Sequence, residues 1–83
     1  MYKEYAQIFK ALSDPTRAEI YHMLKNGEMC GCVILEKFNI TQPTLSYHMK
    51  ALVESGLVKF RKEGVWNHYS VDKEVSECLK KFL

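Results

Sequence analysis

The sequence predicts a single, mainly α-helical domain over residues 1–83 that carries one β-hairpin wing, in the element order ααααββα. Apolar residues recur at helical spacing as far as Gly56, and the period then changes to two between Leu57 and Val71. An amphipathic stretch after Val71 returns to helical spacing. A chain of 83 residues has room for one domain with a small core.

The first two helices have clear limits in the sequence. The first is predicted in YKEYAQIFKAL, where Ile8 and Leu12 fall on one face. The second lies between Asp14, which suits the N-cap, and Gly27, which suits the left-handed position after a helix. Each helix therefore has an apolar face to bury against the rest of the chain.

The third and fourth helices form a connected pair. A short helix is expected from Cys30 to Phe38, and a longer one follows Thr41, which can cap it, and ends at Gly56. Pro43 falls in the first turn of the longer helix, where a missing N–H costs nothing. A short helix, a tight turn and a longer helix have the proportions of a helix-turn-helix, whose second helix reads DNA.

A hairpin and a last helix complete the predicted order. The runs LVKFRK and WNHYSV alternate between two faces and flank EGV, which predicts two strands joined by a turn with a basic tip in water. Asp72 suits the N-cap of the last helix, and Cys78 falls on its apolar stripe.

The outward face of the fourth helix indicates contact with DNA. It has hydroxyls, an amide, an aromatic ring, His48 and a lysine, and no carboxylate occurs between Ile40 and Val53. A solvated face would look similar, but the absence of acids favours a major groove, whose backbone repels them. The net charge of +2 lies entirely within residues 41–71, which also favours a polyanion. The predicted contacts, including two cations of the hairpin, are Gln42, Thr44, Ser46, Tyr47, Lys50, Arg61 and Lys62.

A homodimer is the expected state. One reading helix contacts only a few base pairs, so domains of this kind gain affinity by pairing two half-sites through a two-fold dimer. The first and last helices have spare apolar surface that a second copy would cover. The predicted partners are double-stranded operator DNA and a second copy of the chain.

The motifs also resemble a known family. The run SDPTR, the reading helix QPTLSYHMKAL followed by SGLV, and the wing ending HYSV are similar to the ArsR/SmtB winged helix-turn-helix, metal-responsive repressors. The resemblance covers about residues 5–71 and implies a dimeric repressor that leaves its operator when an ion binds. Arsenic, antimony, cadmium and lead sensors of that family often carry Cys-x-Cys where Cys30 and Cys32 stand here.

Cys30 and Cys32 are therefore the predicted ligands of an inducing ion, with arsenite or antimonite favoured and no resident cofactor expected. Thiolates select soft ions, and a helix N-terminus favours the thiolate. Residues two apart on a helix are about 200° apart around its axis. One ion held by both thiols would thus have to unwind the first turn, and Gly31 would ease that distortion.

The sequence is compatible with several alternatives. The same DNA-binding dimer could sense thiol oxidation through a Cys30–Cys32 disulfide, or a soft divalent ion such as cadmium or lead. Both cysteines could also be small packed hydrophobes. Leu35 stands where some arsenic sensors have a third cysteine, so Cys78 is the one candidate for a third thiolate, although a core or interface role suits it better.

The sequence argues against catalysis and membrane insertion. It has no nucleophile–base or paired-carboxylate pattern, and no Cys-x-x-Cys in a thioredoxin-like βαβ context, so the protein is not expected to be an enzyme. It has no apolar stretch of membrane-spanning length and no signal region. These features predict a cytoplasmic protein whose three cysteines stay reduced.

Overall fold

The computed structural model describes all of residues 1–83 and contains five helices and three strands. The helices are α1 (Tyr2–Leu12), α2 (Pro15–Leu24), α3 (Gly31–Glu36), α4 (Gln42–Glu54) and α5 (Lys73–Phe82). The strands are β1 (Met29–Cys30), β2 (Val58–Glu63) and β3 (Trp66–Val71). The predicted fold class is confirmed, with one strand more than expected. None of the helices is long and apolar enough to cross a membrane.

Side-chain caps begin three of the helices where the sequence predicts them. Asp14, Thr41 and Asp72 each accept a hydrogen bond from a backbone N–H in the first turn of α2, α4 and α5. Pro15 and Pro43 occupy the first turns of α2 and α4, where no backbone donor is needed. Local chemistry therefore decides where these helices begin.

Strand β1 was not predicted. Met29 pairs with Tyr69 and Cys30 with His68 in antiparallel register, which gives a three-stranded sheet of order β1-β3-β2. The helix expected from Cys30 to Phe38 is shorter at both ends: Cys30 belongs to the strand, so that α3 begins after it, and α3 ends at Glu36. A strand of two residues is too short to show an alternating pattern in the sequence. Met29 and Cys30 form a strand only because they pair with β3.

The hairpin has its turn at Gly64 and Val65, beyond the paired Glu63 and Trp66. Gly64 has a φ of +62°, which suits the first position of a type II′ turn. The prediction of a basic tip is wrong. Arg61 and Lys62 lie within β2, before the turn, and the tip residue Val65 is 84% exposed.

The core is small and contains no polar side chain. Each of the five helices contributes to it, and α4 contributes more residues than any other element. Burial of its stripe fixes α4 on the body of the molecule and leaves the opposite side of the helix in solvent. The buried residues are Ile8, Ala11, Ile20, Leu24, Ile34, Leu45, Met49, Leu52, Leu57, Val58 and Leu79.

Replacing Leu52 by alanine is expected to lower the free energy of unfolding by about 2–5 kcal/mol, because it leaves a cavity under α4. Leu52 has no exposed surface. Urea unfolding followed by circular dichroism measures the change. Val53→Ala is the matched control, since Val53 is only half-buried on the same helix. Equal losses in the two variants would contradict the described packing of α4.

Candidate nucleic-acid interface and thiol site

The two neighbouring thiols lie at the junction of β1 and α3. Cys30 is the N-cap of α3 with an extended backbone (φ −71°, ψ 142°), and Cys32 is in the first turn of the helix. Their Sγ atoms are 2.7 Å apart, and neither forms a disulfide. The predicted separation of about 200° on a helix is wrong, because Cys30 lies outside the helical turn. Both thiols can therefore meet one ion without unwinding α3.

The contact between the two thiols shifts their pKa values in opposite directions. A hydrogen bond from the Cys32 thiol, and a second from the Cys32 backbone N–H, lower the pKa of the Cys30 thiol. The same thiol contact raises the pKa of Cys32, because its proton is held by Cys30. Cys30 therefore ionises first, and the thiolate is the form that binds metals and attacks electrophiles.

A cavity of about 240 Å³ connects the thiol pair to the predicted DNA-binding elements. Gln42 and Ser46 of α4 line it, as do Trp66 and Tyr69 of β3. Most of its lining is hydrophobic. The thiols therefore share one cavity with two predicted DNA contacts and with the wing, an arrangement that the sequence did not predict.

Gly31 allows the thiol-bearing segment to approach β3 closely. A Cβ atom at Gly31 would lie 3.3 Å from Cε2 of Tyr69, which is tight, and 3.8 Å from the carbonyl oxygen of Asn67. The backbone pairing of Cys30 with His68 joins the same segment to the sheet. The thiol pair is thus linked to the wing strand as directly as it is to α3.

No third protein ligand stands beside the two thiols. The chain contains no group of three or more Cys, His, Asp or Glu side chains placed to hold a metal. Cys78 is exposed on α5, where its carbonyl oxygen accepts a hydrogen bond from the Tyr5 hydroxyl at 3.4 Å. Within one chain, Cys78 is therefore not grouped with Cys30 and Cys32.

The predicted DNA contacts of α4 are all exposed. The ring-bearing residue among them, Tyr47, is 68% exposed. The one carboxylate of α4 is Glu54, at its last position. These exposed contacts are Gln42, Thr44, Ser46, Tyr47 and Lys50.

His48 does not belong to this exposed face, contrary to the prediction. Its side chain is only 12% exposed, and its Nδ1 lies 3.2 Å from Nη1 of Arg17 and 3.8 Å from Oδ2 of Asp14. Nε of Arg17 donates to the carbonyl oxygen of Ala11 at 2.7 Å. One guanidinium thus joins α1, α2 and α4 and supports the orientation of α4.

Arg61 of the wing already has a partner within the protein. Its Nε and Nη2 donate to the two carboxylate oxygens of Glu28 at 3.0 and 2.8 Å, and its Nη1 lies 3.7 Å from Glu63. The contact with Glu28 raises the pKa of Arg61 and lowers the pKa of Glu28. Lys62 is exposed and forms no ion pair. Of the two cations, only Lys62 can meet a phosphate without first giving up a contact.

Comparison with known proteins places these features in a family context. Residues 14–59 match the family described as "Bacterial regulatory protein, arsR family". The chain is 48% identical over 81 residues to an uncharacterized HTH-type transcriptional regulator of Methanocaldococcus jannaschii, covering 95% of this chain and 91% of the relative. It is 46% identical over 82 residues to an arsenical resistance operon repressor of Staphylococcus xylosus, covering 99% and 79%.

Solved structures share the fold. An ArsR family transcriptional regulator superimposes with a TM-score of 0.90 at 24% identity, covering 99% of this chain and 84% of that one. A homodimeric winged helix-turn-helix DNA-binding domain from Mycobacterium bovis has a TM-score of 0.83 at 27% identity, covering 98% and 76%. The helices, the sheet and the wing therefore form a winged helix-turn-helix.

Replacing Cys32 by alanine is expected to raise the pKa of Cys30, because the thiol donor that stabilises its thiolate is lost. Cys32→Ser retains a donor and should raise the pKa less. Thiolate absorbance across pH, measured in a Cys78→Ser background, reports the change. Cys30→Ala should act in the opposite direction and lower the pKa of Cys32. A Cys30 pKa that is the same in all variants would exclude the thiol hydrogen bond.

Proposed function

Because the chain belongs to the ArsR family of bacterial regulatory proteins, we propose that it is a dimeric repressor released from its operator by a trivalent metalloid. The metalloid, arsenite or antimonite, binds the thiolates of Cys30 and Cys32. The family consists of DNA-binding transcriptional regulators and not of enzymes. The observation that carries the proposal is the position of the thiol pair, on a cavity that is also lined by the reading helix α4 and the wing.

The exposed side of α4 is suited to the major groove. Gln42 can pair with adenine, while Thr44, Ser46 and Tyr47 offer hydroxyls to bases or phosphates. Lys50 adds a positive charge one turn after Tyr47. The wing would contact the backbone beside the groove with Arg61 and Lys62, and Arg61 would exchange Glu28 for a phosphate.

A second copy of the chain would bind the aromatic surface of α1 and α5. The rings of Tyr5 and Phe82 stack with centroids 4.1 Å apart, and Tyr2 and Phe9 also contact Phe82. Tyr2 is 79% exposed, so this cluster presents apolar surface to solvent in a single chain. Burial of such a patch is a driving force for association. The relative from M. bovis that shares the fold is described as homodimeric.

Two observations support a trivalent metalloid as the inducer: the chemistry of the two thiols and the names of the relatives. Three relatives named arsenical resistance operon repressors are 46%, 47% and 40% identical to this chain. The two thiols of Cys30 and Cys32 can replace two hydroxides of arsenous acid and release two waters. The third coordination position of the arsenic then keeps its hydroxide or takes a thiol from outside the protein. This agrees with the absence of a third protein ligand.

A soft divalent ion is the second candidate inducer. The chain is 40% identical over 78 residues to a relative named as a homolog of a cadmium resistance regulatory protein from Staphylococcus aureus. Thiolates suit such ions as well. A divalent ion that requires four ligands would have to find two of them outside this site, which favours the metalloid.

The link from ion to DNA runs through the junction of β1 and α3. An ion held between the thiols must change the 2.7 Å contact of the two Sγ atoms, and this moves a segment that is paired with β3 and packed against Tyr69. Gln42 and Ser46 line the same cavity from the side of α4. Ion binding and operator binding thus favour different arrangements of the same contacts. The ion therefore lowers the affinity for the operator, and the operator lowers the affinity for the ion by the same factor.

Cys30→Ser and Cys32→Ser are each expected to leave operator binding intact and to abolish release by arsenite, since each variant removes one of two ligands. Fluorescence anisotropy of the reduced protein on duplex DNA from its own upstream region, titrated with arsenite, measures both effects. Cys78→Ser is the matched control and should respond as the wild type does.

Persistence of arsenite release in both Cys30→Ser and Cys32→Ser would exclude the thiol pair as the sensor. Release of the wild type by cadmium but not by arsenite would favour the divalent ion. Release by an oxidant alone, reversed by a reductant, would indicate a redox switch at the same two thiols.

Lys50→Ala, Arg61→Ala and Lys62→Ala are each expected to weaken DNA binding across sequences, and to reduce the dependence of log K on log salt by about 0.9 per lost phosphate contact. Glu28→Gln should strengthen DNA binding and increase its salt dependence, because it removes the carboxylate that pairs with Arg61. Anisotropy titrations at several salt concentrations measure both quantities. Unchanged affinity in all three alanine variants would place the DNA-binding face elsewhere.

A further inference from the structure

We propose that a second basic surface, on the flank of α4, binds the phosphate backbone of DNA beside the half-site. This flank surface consists of Gln7 and Lys10 of α1, Arg17 of α2, and Tyr47 and Lys50 of α4. The inference rests on the proposed DNA-binding function and extends it to α1, whose residues were not among the predicted DNA contacts.

The flank surface is an open concavity of about 360 Å³ between α1 and α4. Three cations line it, Lys10, Arg17 and Lys50, against the single carboxylate of Glu54. Lys10 and Lys50 are exposed, and neither forms an ion pair within the chain. A concavity with an excess of positive charge attracts a polyanion and raises its local concentration.

The position on α1 keeps this surface separate from the proposed dimer contact. Ile8 and Ala11 are buried in the core, while Phe9 belongs to the aromatic cluster with Phe82. Since each residue advances about 100° around a helix, Lys10 lies on a third side of α1, away from both. A dimer formed through α1 and α5 therefore leaves Lys10 accessible to DNA.

The guanidinium of Arg17 is already fixed at the edge of the concavity. Its Nε donates to the carbonyl oxygen of Ala11, and its Nη1 lies 3.2 Å from Nδ1 of His48. A guanidinium carries five N–H donors, so donors remain for a phosphate oxygen. Because these two contacts hold the side chain in place, little conformational entropy is left to lose when a phosphate binds.

The flank surface is continuous with the reading face of α4. Tyr47 and Lys50 belong to both, so a phosphate in the concavity would lie at the edge of the groove that α4 enters. Hydroxyls, amides and cations are the usual donors to DNA phosphates, and such contacts set register and orientation without reading sequence. The flank surface would therefore fix how α4 sits in the groove.

Lys10→Ala is expected to weaken binding about three- to tenfold near physiological salt and to reduce the salt dependence by about 0.9. Glu54→Gln, which removes the one carboxylate of the concavity, should strengthen binding. Lys73→Ala is the matched control, since Lys73 is an exposed, unpaired lysine on α5. Anisotropy is measured on a labelled duplex from the upstream region and on a duplex of scrambled sequence, where Lys10→Ala should cause equal fold losses.

Wild-type affinity of Lys10→Ala on both duplexes, with Lys62→Ala still weakened, would overturn the flank surface and leave the proposed function in place. A loss confined to the upstream duplex would also overturn it, because a backbone contact acts on every sequence. Failure of the wild type to bind either duplex would overturn the proposed function and this inference together. Circular dichroism of each variant confirms that the fold is retained.

Discussion

Burial of one stripe of α4 is the interaction on which the rest of the structure depends. Leu45, Met49 and Leu52 are at most 5% exposed, and they pack in a core that takes residues from every other helix and from β2. This burial turns the polar side of the same helix outward, where it can meet a groove. The orientation of the reading helix is therefore a consequence of packing, and the contact between Arg17 and His48 adds a polar support to it.

Because the core is small, the exposed aromatic cluster of α1 and α5 is a possible further source of stability. A chain of this size buries only about 60% of the surface of its unfolded state, so a monomer has little stability to spare. Tyr5 and Phe82 stack on each other but leave apolar surface in solvent on α1 and α5. Covering this surface with a second copy would stabilise the fold and bring two reading helices together, so one contact would serve both stability and recognition.

The thiol pair shares one cavity with both of the elements that are proposed to bind DNA. Cys30 belongs to the two-residue strand β1, which pairs with β3, and Cys32 belongs to the first turn of α3, so the connection from the sheet to α3 runs through the proposed sensor. Gly31 makes this possible, since its missing side chain leaves room for the ring of Tyr69. The proposed regulation thus depends on contacts between segments far apart in the chain.

The sequence by itself determined the features that neighbouring residues control. The caps Asp14, Thr41 and Asp72, the change of period after Gly56 and the absence of acids between Ile40 and Val53 all follow from signals within a turn or two of the chain. The motifs also indicated the family, which the relatives confirm. These signals are local because helix ends and periods are set by hydrogen bonds and side chains a few residues apart.

Only the tertiary structure decided which distant residues meet. Strand β1 exists because Cys30 reaches His68, and this pairing takes Cys30 out of the helix and sets its thiol against Cys32. The pairing of Arg61 with Glu28, 33 positions away, likewise sets which wing cation is free. Such contacts carry no periodic signal, because they form only when packing of the core brings separate segments together.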